Sequence, residues 1–221
     1  MKVHNRRRIS RQKYTILFNS FVADITASKA AEIASVNRKT ADRYFHLFRE
    51  PIIEAALLER KRAKLGNGVE IDESYFGPSR VRGKRGRGAG KKIIVLGLLK
   101  RNGKVYTQII KSAQKTEVMP IIRRVVKSGS DIYSDGWRSY DALAVYGYNH
   151  KKVKHSEDEF AREDGTHING VESYWSWVKR RLAKFNGVRK SKFPKCMLES
   201  EWRFNHRDNL SGDLKSLLRT S

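Results

Sequence analysis

Apolar residues recur every three or four positions through the first part of the chain, the period of amphipathic helices. Tyr14 to Val22 reads as a first helix, with Leu17, Phe18, Phe21 and Val22 on its buried face. Lys29 to Ala34 reads as a second, with Ser28 placed to cap it. After the turn Ser35-Val36-Asn37, Asn37 can cap a third helix that starts at Arg38. Ala41, Tyr44, Phe45 and Phe48 share one side of that helix. Arg38, Lys39, Thr40 and Arg43 occupy its first turns, mostly off that side. Pro51 can start a further helix through Leu57, and Arg60 to Gly68 reads as a linker.

The period changes from Val69 onward. Val69 to Phe76, Lys92 to Leu99 and Lys104 to Ile110 read as strands, the last two joined by an Asn102-Gly103 hairpin turn. Thr116 to Lys127 reads as a helix, with Val118, Ile121, Ile122 and Val125 on one side. Ile132 to Ser134 reads as a short strand ending at Asp135, Trp137 to Tyr146 as a helix, and Lys152 to Lys154 as an edge strand. Asn169 to Phe185 and Lys195 to His206 complete the series as helices. Three antiparallel strands followed by alternating helices and strands imply an α/β mixed sheet flanked by helices. That order resembles the ribonuclease-H-like fold. The expected division is a small all-α helix-turn-helix domain over 1–65 and a ribonuclease-H-like domain over 66–221.

Charge changes what this architecture is expected to meet. The chain of 221 residues carries 47 Lys and Arg against 23 Asp and Glu, a formal net charge of +24. Self-repulsion on that scale opposes compactness, and a polyanion such as nucleic acid would relieve it. No continuous apolar run reaches transmembrane length, and the basic start lacks the apolar stretch of a signal peptide. Cys196, the single cysteine, excludes an internal disulfide and a cysteine-rich zinc ribbon, and fits a reducing cytoplasmic location. Two short helices with a tight turn, the second opening on Arg38, Lys39, Thr40 and Arg43, suggest a helix-turn-helix whose second helix enters the DNA major groove. A helical bundle with a solvated basic face has the same spacing.

Three acids stand out by position. Asp72 lies in the middle of the first strand, Asp135 ends a later strand, and Glu172 lies on the long helix. Strand interiors are depleted in Asp, and chemistry in open sheets gathers beyond strand ends. If the first and fourth strands are neighbours, the two aspartates converge, and a helix crossing that point delivers Glu172. Three such carboxylates repel one another unless cations or protons neutralise them. Hard oxygen donors suit Mg²⁺ or Mn²⁺. Two ions roughly 3.5–4 Å apart suit in-line phosphoryl transfer, activating one oxygen and stabilising the other. Glu70 and Glu73 flank Asp72 and are expected to point elsewhere or to serve nearby structure. Trp175 and Trp177 read as core or partner contacts.

The ordered set Asp72-Glu73-Ser74-Tyr75-Phe76, Tyr133-Ser134-Asp135 and His167-Ile168-Asn169-Gly170-Val171-Glu172, with Trp175 and Lys179, resembles the DDE transposases of bacterial insertion sequences. The branch is the ISXO-like transposase domain family, in its small form without an N-terminal zinc ribbon. Trp202-Arg203-Phe204-Asn205 is similar to a late segment of the same family. The resemblance implies Asp72, Asp135 and Glu172 as ligands of Mg²⁺ or Mn²⁺, and Lys179 as a contact to DNA near the scissile phosphate. Lys179 follows Glu172 by 179 − 172 = 7 residues, two helical turns, on the same face. His167 and Asn169 are expected as secondary contacts. Metal-dependent cleavage of terminal inverted repeats, joining to target DNA, and a dimer or larger assembly on double-stranded DNA follow from the resemblance. A ribonuclease-H-like nuclease or resolvase without joining, and a non-catalytic DNA-binding regulator, are the alternatives.

The run from Ser79 to Lys92 holds seven basic residues, four glycines and no acid. Glycine lets backbone approach phosphates, and arginine suits phosphate oxygens. Arg82, Lys84, Arg85, Arg87, Lys91 and Lys92 are therefore expected to contact DNA, against the reading of a solvated loop. The run is not a nucleotide-binding loop. Lys92 follows Gly90-Lys91 where Ser or Thr is needed, and Arg85 stands where the first glycine belongs.

Overall fold

A computed structural model describes residues 9–77, 92–135, 143–153 and 168–220. The chain divides into two compact units, Met1–Lys61 with Arg181–Ser221, and Arg62–Arg180. This division differs from the expected one at residue 65, because the C-terminal helices fall with the N-terminal ones.

The first unit contains α1 (Arg11–Val22), α2 (Ala27–Ile33), nearly all of α3 (Arg38–Arg62), α6 (Phe193–Asn205) and α7 (Leu210–Thr220). Leu17, Phe18, Phe21, Phe45, Phe48 and Ile52 form one apolar cluster with Leu198, Trp202 and Leu214. Phe21 meets Phe45 edge-on at 5.2 Å, and Phe18 meets Phe48 the same way at 5.7 Å. Such pairs each add about 0.5–1.5 kcal/mol beyond the area they bury. Ser10 caps α1 through the Lys13 N–H, and Asn37 caps α3 through the Lys39 N–H at 2.8 Å. Thr26 rather than Ser28 caps α2, which starts earlier than its periodicity predicts. Pro51 lies inside one continuous α3 instead of opening a new helix. Its neighbours Ile52, Ile53 and Ala56 are buried, and that packing outweighs the lost backbone bond. Helix α7 was not among the expected elements.

Ionic contacts complete this unit. Glu199 is buried and meets Arg49 at 2.7 Å, Arg181 at 2.7 Å and Arg203 at 2.9 Å. Arg203 also donates to the carbonyls of Phe21 and Val22 at the end of α1, where a cation complements the helix dipole.

The second unit is built on a five-stranded mixed sheet in the order β3-β2-β1-β4-β5. Its strands are β1 (Val69–Phe76), β2 (Ile93–Lys100), β3 (Val105–Ile110), β4 (Asp131–Asp135) and β5 (Asn149–Val153). The first three are antiparallel, and β4 and β5 run parallel to β1. This is the ribonuclease-H-like arrangement. Asn102 adopts φ +53° in the hairpin turn, a conformation Asn tolerates. On one face Ile71, Leu96, Leu98 and Ile132 pack with Val118, Ile122 and Val125 of α4 (Lys115–Val125). The opposite face of β1 carries Glu70, Asp72, Ser74 and Phe76, since strand side chains alternate. Helix α5 (Asn169–Ala183) covers that face, with Val171, Tyr174, Trp175 and Val178 buried. Of the expected helix Trp137–Tyr146, Ala144–Tyr146 is one 3-10 turn and residues 136–142 lie outside the described ones. No helix among the described residues is long and apolar enough to cross a membrane.

Candidate active site

The parallel pairing of β1 with β4 sets Glu70 beside Tyr133 and Ile71 beside Ser134. One further step in that register brings Asp72 alongside Asp135. Both are half-buried. Across the other edge, Asp72 pairs with Gly97 of β2. Gly97 has no room for a Cβ because the indole of Trp175 lies on it. Trp175 also meets Phe76 edge-on at 5.9 Å. Helix α5 is thus seated by its indole on the strand beside Asp72.

Glu172 lies in the first turn of α5, exposed, next to the buried Val171. Two turns on, the exposed Lys179 points its ammonium towards the Phe76 ring at 6.0 Å. Asp72 registers both other acids. Burial pushes its carboxyl up from the ordinary 3.8 to about 6, and the charges of Asp135 and Glu172 push the same way. A backbone hydrogen bond at Glu73 and the nearby indole N–H of Trp175 oppose the rise. The indole N–H itself stays short of hydrogen-bond geometry. A carboxylate destabilised by burial and two like charges is suited to a cation.

The donor chemistry therefore fits a hard divalent ion. In this arrangement, however, no three His, Cys, Asp or Glu among the described residues are close enough to hold one. Asp135 and Glu172 each come within electrostatic reach of Asp72, without the three forming a closed ligand set.

Of the other residues expected at a site, Asn169 is the exposed first residue of α5, and Lys92 directly precedes β2. Arg38, Lys39 and Arg43 are exposed on α3 and Thr40 is half-buried, with Arg38 3.7 Å from Asp42. Arg82, Lys84, Arg85, Arg87, Lys91 and His167 lie outside the described residues. In the helical unit a cavity of about 470 Å³ is lined by Asp24, Thr26, Arg38, Asp42, Arg49 and Lys184 among others, and by none of the three acids.

Glu70 serves nearby structure, one of its two expected places. It does not point elsewhere, because it sits two residues before Asp72 and shares its face. It is 1% exposed, accepts from the Val171 N–H at 2.8 Å and pairs with Arg101 at 3.1 Å. The period of two was the signal for it in the sequence. Arg101 carried no such signal, since its neighbours are set by the sheet.

A family model described as the ISXO2-like transposase domain matches residues 64–205. An uncharacterized transposase-like protein of Haemophilus influenzae is 42% identical over 120 residues, covering 53% of this chain and 96% of the relative. Among solved structures, the Mos1 strand transfer complex aligns over all of this chain and 81% of its own, at 14% identity and a TM-score of 0.32. A simian T-cell lymphotropic virus intasome aligns over 64% of this chain at 10% identity and a TM-score of 0.39, and this chain spans about half of it (49%). The family match covers most of the sheet-bearing unit and reaches through α6, and with the relative's identity it establishes that the chain belongs to the ISXO2-like transposase domain family.

Proposed function

We propose that this chain is a DDE-type transposase that cuts DNA at the terminal inverted repeats of an insertion sequence and joins the ends to target DNA. The observation that carries the proposal is the register that brings Asp72 of β1 alongside Asp135 of the parallel β4, with Glu172 in the first turn of the helix laid over that face. Asp72, Asp135 and Glu172 are the residues that would hold Mg²⁺ or Mn²⁺, in our reading two ions. Bound there, the metal would neutralise charge around the transferring phosphoryl group. Lys179, on the same face of α5 as Glu172, would hold DNA near the reacting phosphate, with Asn169 and His167 as further contacts. No nucleotide cofactor takes part.

Sequence-specific contacts to double-stranded DNA fall in this reading to Arg38, Lys39, Thr40 and Arg43 at the start of α3. Lys39 and Arg43 are exposed on the side opposite Ala41, Tyr44 and Phe45, and Arg38 is exposed at the helix start, which supports it. The basic run containing Arg82, Lys84, Arg85, Arg87, Lys91 and Lys92 would follow the phosphate backbone. Two ends must be handled together, so a homodimer or larger assembly on DNA is proposed, acting in the cytoplasm at the nucleoid.

The test is a strand-transfer assay with a donor duplex carrying the element's ends, a supercoiled target plasmid, and Mg²⁺ or Mn²⁺. Metal-dependent joining by the wild type and its loss in Glu172→Gln, with DNA binding kept, is the expected result. Cutting without joining would favour a nuclease or resolvase. Binding with neither would favour a regulator.

A further inference from the structure

We infer that Glu70 is a positioning residue for Glu172, acting as the N-terminal cap of α5 from a neighbouring strand. The inference rests on the reading of Glu172 as an active-site residue. The first N–H groups of any helix lack intrahelical partners. Ile168, the residue before α5, has no side-chain acceptor to offer, and the first helical bond runs from the Glu172 N–H to the Ile168 carbonyl. The acceptor comes instead from β1. Glu70 Oε2 takes the Val171 N–H at 2.8 Å, so a buried carboxylate sits at the positive end of the helix. Gly170 permits this approach. A Cβ there would lie 2.8 Å from Glu70 Oε2 and 2.8 Å from Cδ2 of Leu99.

The other oxygen of Glu70 accepts from Arg101 Nε at 3.1 Å. Arg101 is held in turn by its backbone N–H, bonded to the Gly68 carbonyl at 2.9 Å, and by the Tyr133 ring, 3.6 Å beneath its guanidinium. The network touches every element that carries a proposed active-site acid, each time close to that acid. Glu70 is two residues before Asp72, Tyr133 is two before Asp135, and Val171 adjoins Glu172. An apolar cluster of similar volume could hold sheet and helix together equally well. Only an acceptor at fixed distance from one N–H also sets the height and rotation of the first turn, and with it the place of Glu172.

Two replacements separate packing from capping. Glu70→Gln keeps an oxygen that can accept from Val171, whereas Glu70→Met fills the space without one. Hydrogen exchange of the Val171 to Trp175 amides in the metal-free protein should speed by about fivefold in Glu70→Met, the factor that one lost cap corresponds to. Cleavage at saturating DNA should fall about 100-fold in the same variant, the cost of a displacement on the order of 1 Å, with the DNA dissociation constant unchanged. Glu70→Gln, which keeps an acceptor for Val171 but turns an amide N–H₂ towards Arg101, should be clearly less impaired than Glu70→Met in both. Unchanged exchange in Glu70→Met, or equal impairment of Glu70→Gln, would overturn the inference. Should Glu70→Met fail to fold, Arg101→Met reads the same amides with Glu70 left in place. A smaller acceleration there supports the inference and none overturns it. A wild type that neither cuts nor joins DNA would remove the transposase reading, while the exchange comparison would still decide whether Glu70 caps α5.

Discussion

Two carboxylates in this chain, Glu199 buried and Asp72 half-buried, end at opposite extremes. Glu199, in the helical unit, is drawn down to about 2 from an ordinary 4.5. Burial, the largest influence, pushes it up, and Arg181, Arg49 and Arg203 together outweigh that push. Asp72, in the sheet unit, is pushed up to about 6 by burial, and its charged neighbours Asp135 and Glu172 add to the rise. The difference lies in the sign of the surrounding charge. One carboxylate is a fully matched part of a core, and the other sits in surroundings that an added cation would improve. Burial of a carboxylate therefore says little by itself, and what surrounds it separates structure from chemistry.

The contrast is broken most severely at Glu199. Glu199→Ala leaves the buried Arg181 and Arg203 with only the half-buried Asp24 as a shared anion, which should cost about 3–5 kcal/mol in urea unfolding. A loss within experimental error would mean that the arginines find other partners. Asp72→Asn should behave in the reverse way. It removes an unfavourable charge, so the unfolding midpoint should hold or rise, while strand transfer drops about 10²–10³-fold, the typical cost of removing one electrostatic stabiliser. A destabilised Asp72→Asn would show that Asp72 serves the fold.

Acid sharpens the same comparison without mutation. Asp72 has its folded value raised, so its contribution is fully present below 3.8 and is lost as pH rises through about 6. Glu199 has its folded value lowered, so its contribution is present above 4.5 and is lost as pH falls through about 2. Protection of the β1 and β4 amides, measured relative to their intrinsic exchange at each pH, should therefore rise on acidification from pH 7 to pH 4. Protection in α6 should hold over that range and fall only below it. Parallel behaviour of the two regions would contradict the opposite shifts.

The smallest effect is expected at His206. It is bonded to Asp213 at 2.6 Å and to Glu59 at 2.9 Å, and stacks on Trp202 at 4.4 Å. Burial lowers its proton affinity, and the two carboxylates more than restore it, for a net rise from 6.5. Its contribution is thus present below 6.5 and fades as pH rises through the folded value. His206→Gln should cost about 1 kcal/mol at pH 6 and less at pH 9, read from thermal melts.

The elements with a strong single period were legible in the sequence. Helix α1, strands β1 to β3 and helix α5 lie where their patterns put them, within a residue or a few at the ends. The course of the chain at Pro51 and at α7 escapes local patterns for a common reason. Local signals register a break or a weak end, but not the apolar cluster that carries α3 through Pro51 or the buried Leu214 that seats α7. Glu70 was legible in principle from its spacing to Asp72 alone, whereas its partners were not.

The sequence by itself determined the class of sheet, the basic character and the ordered acidic motif that marks the family, because periodicity, charge and spacing are properties of the chain. Only the tertiary structure decided that α6 and α7 complete the helical unit, that Gly97 makes room for Trp175, and that Glu70 reaches the first turn of α5. Each of these joins residues distant in sequence, and no local pattern encodes a contact whose two halves meet only after the sheet and its helices have packed.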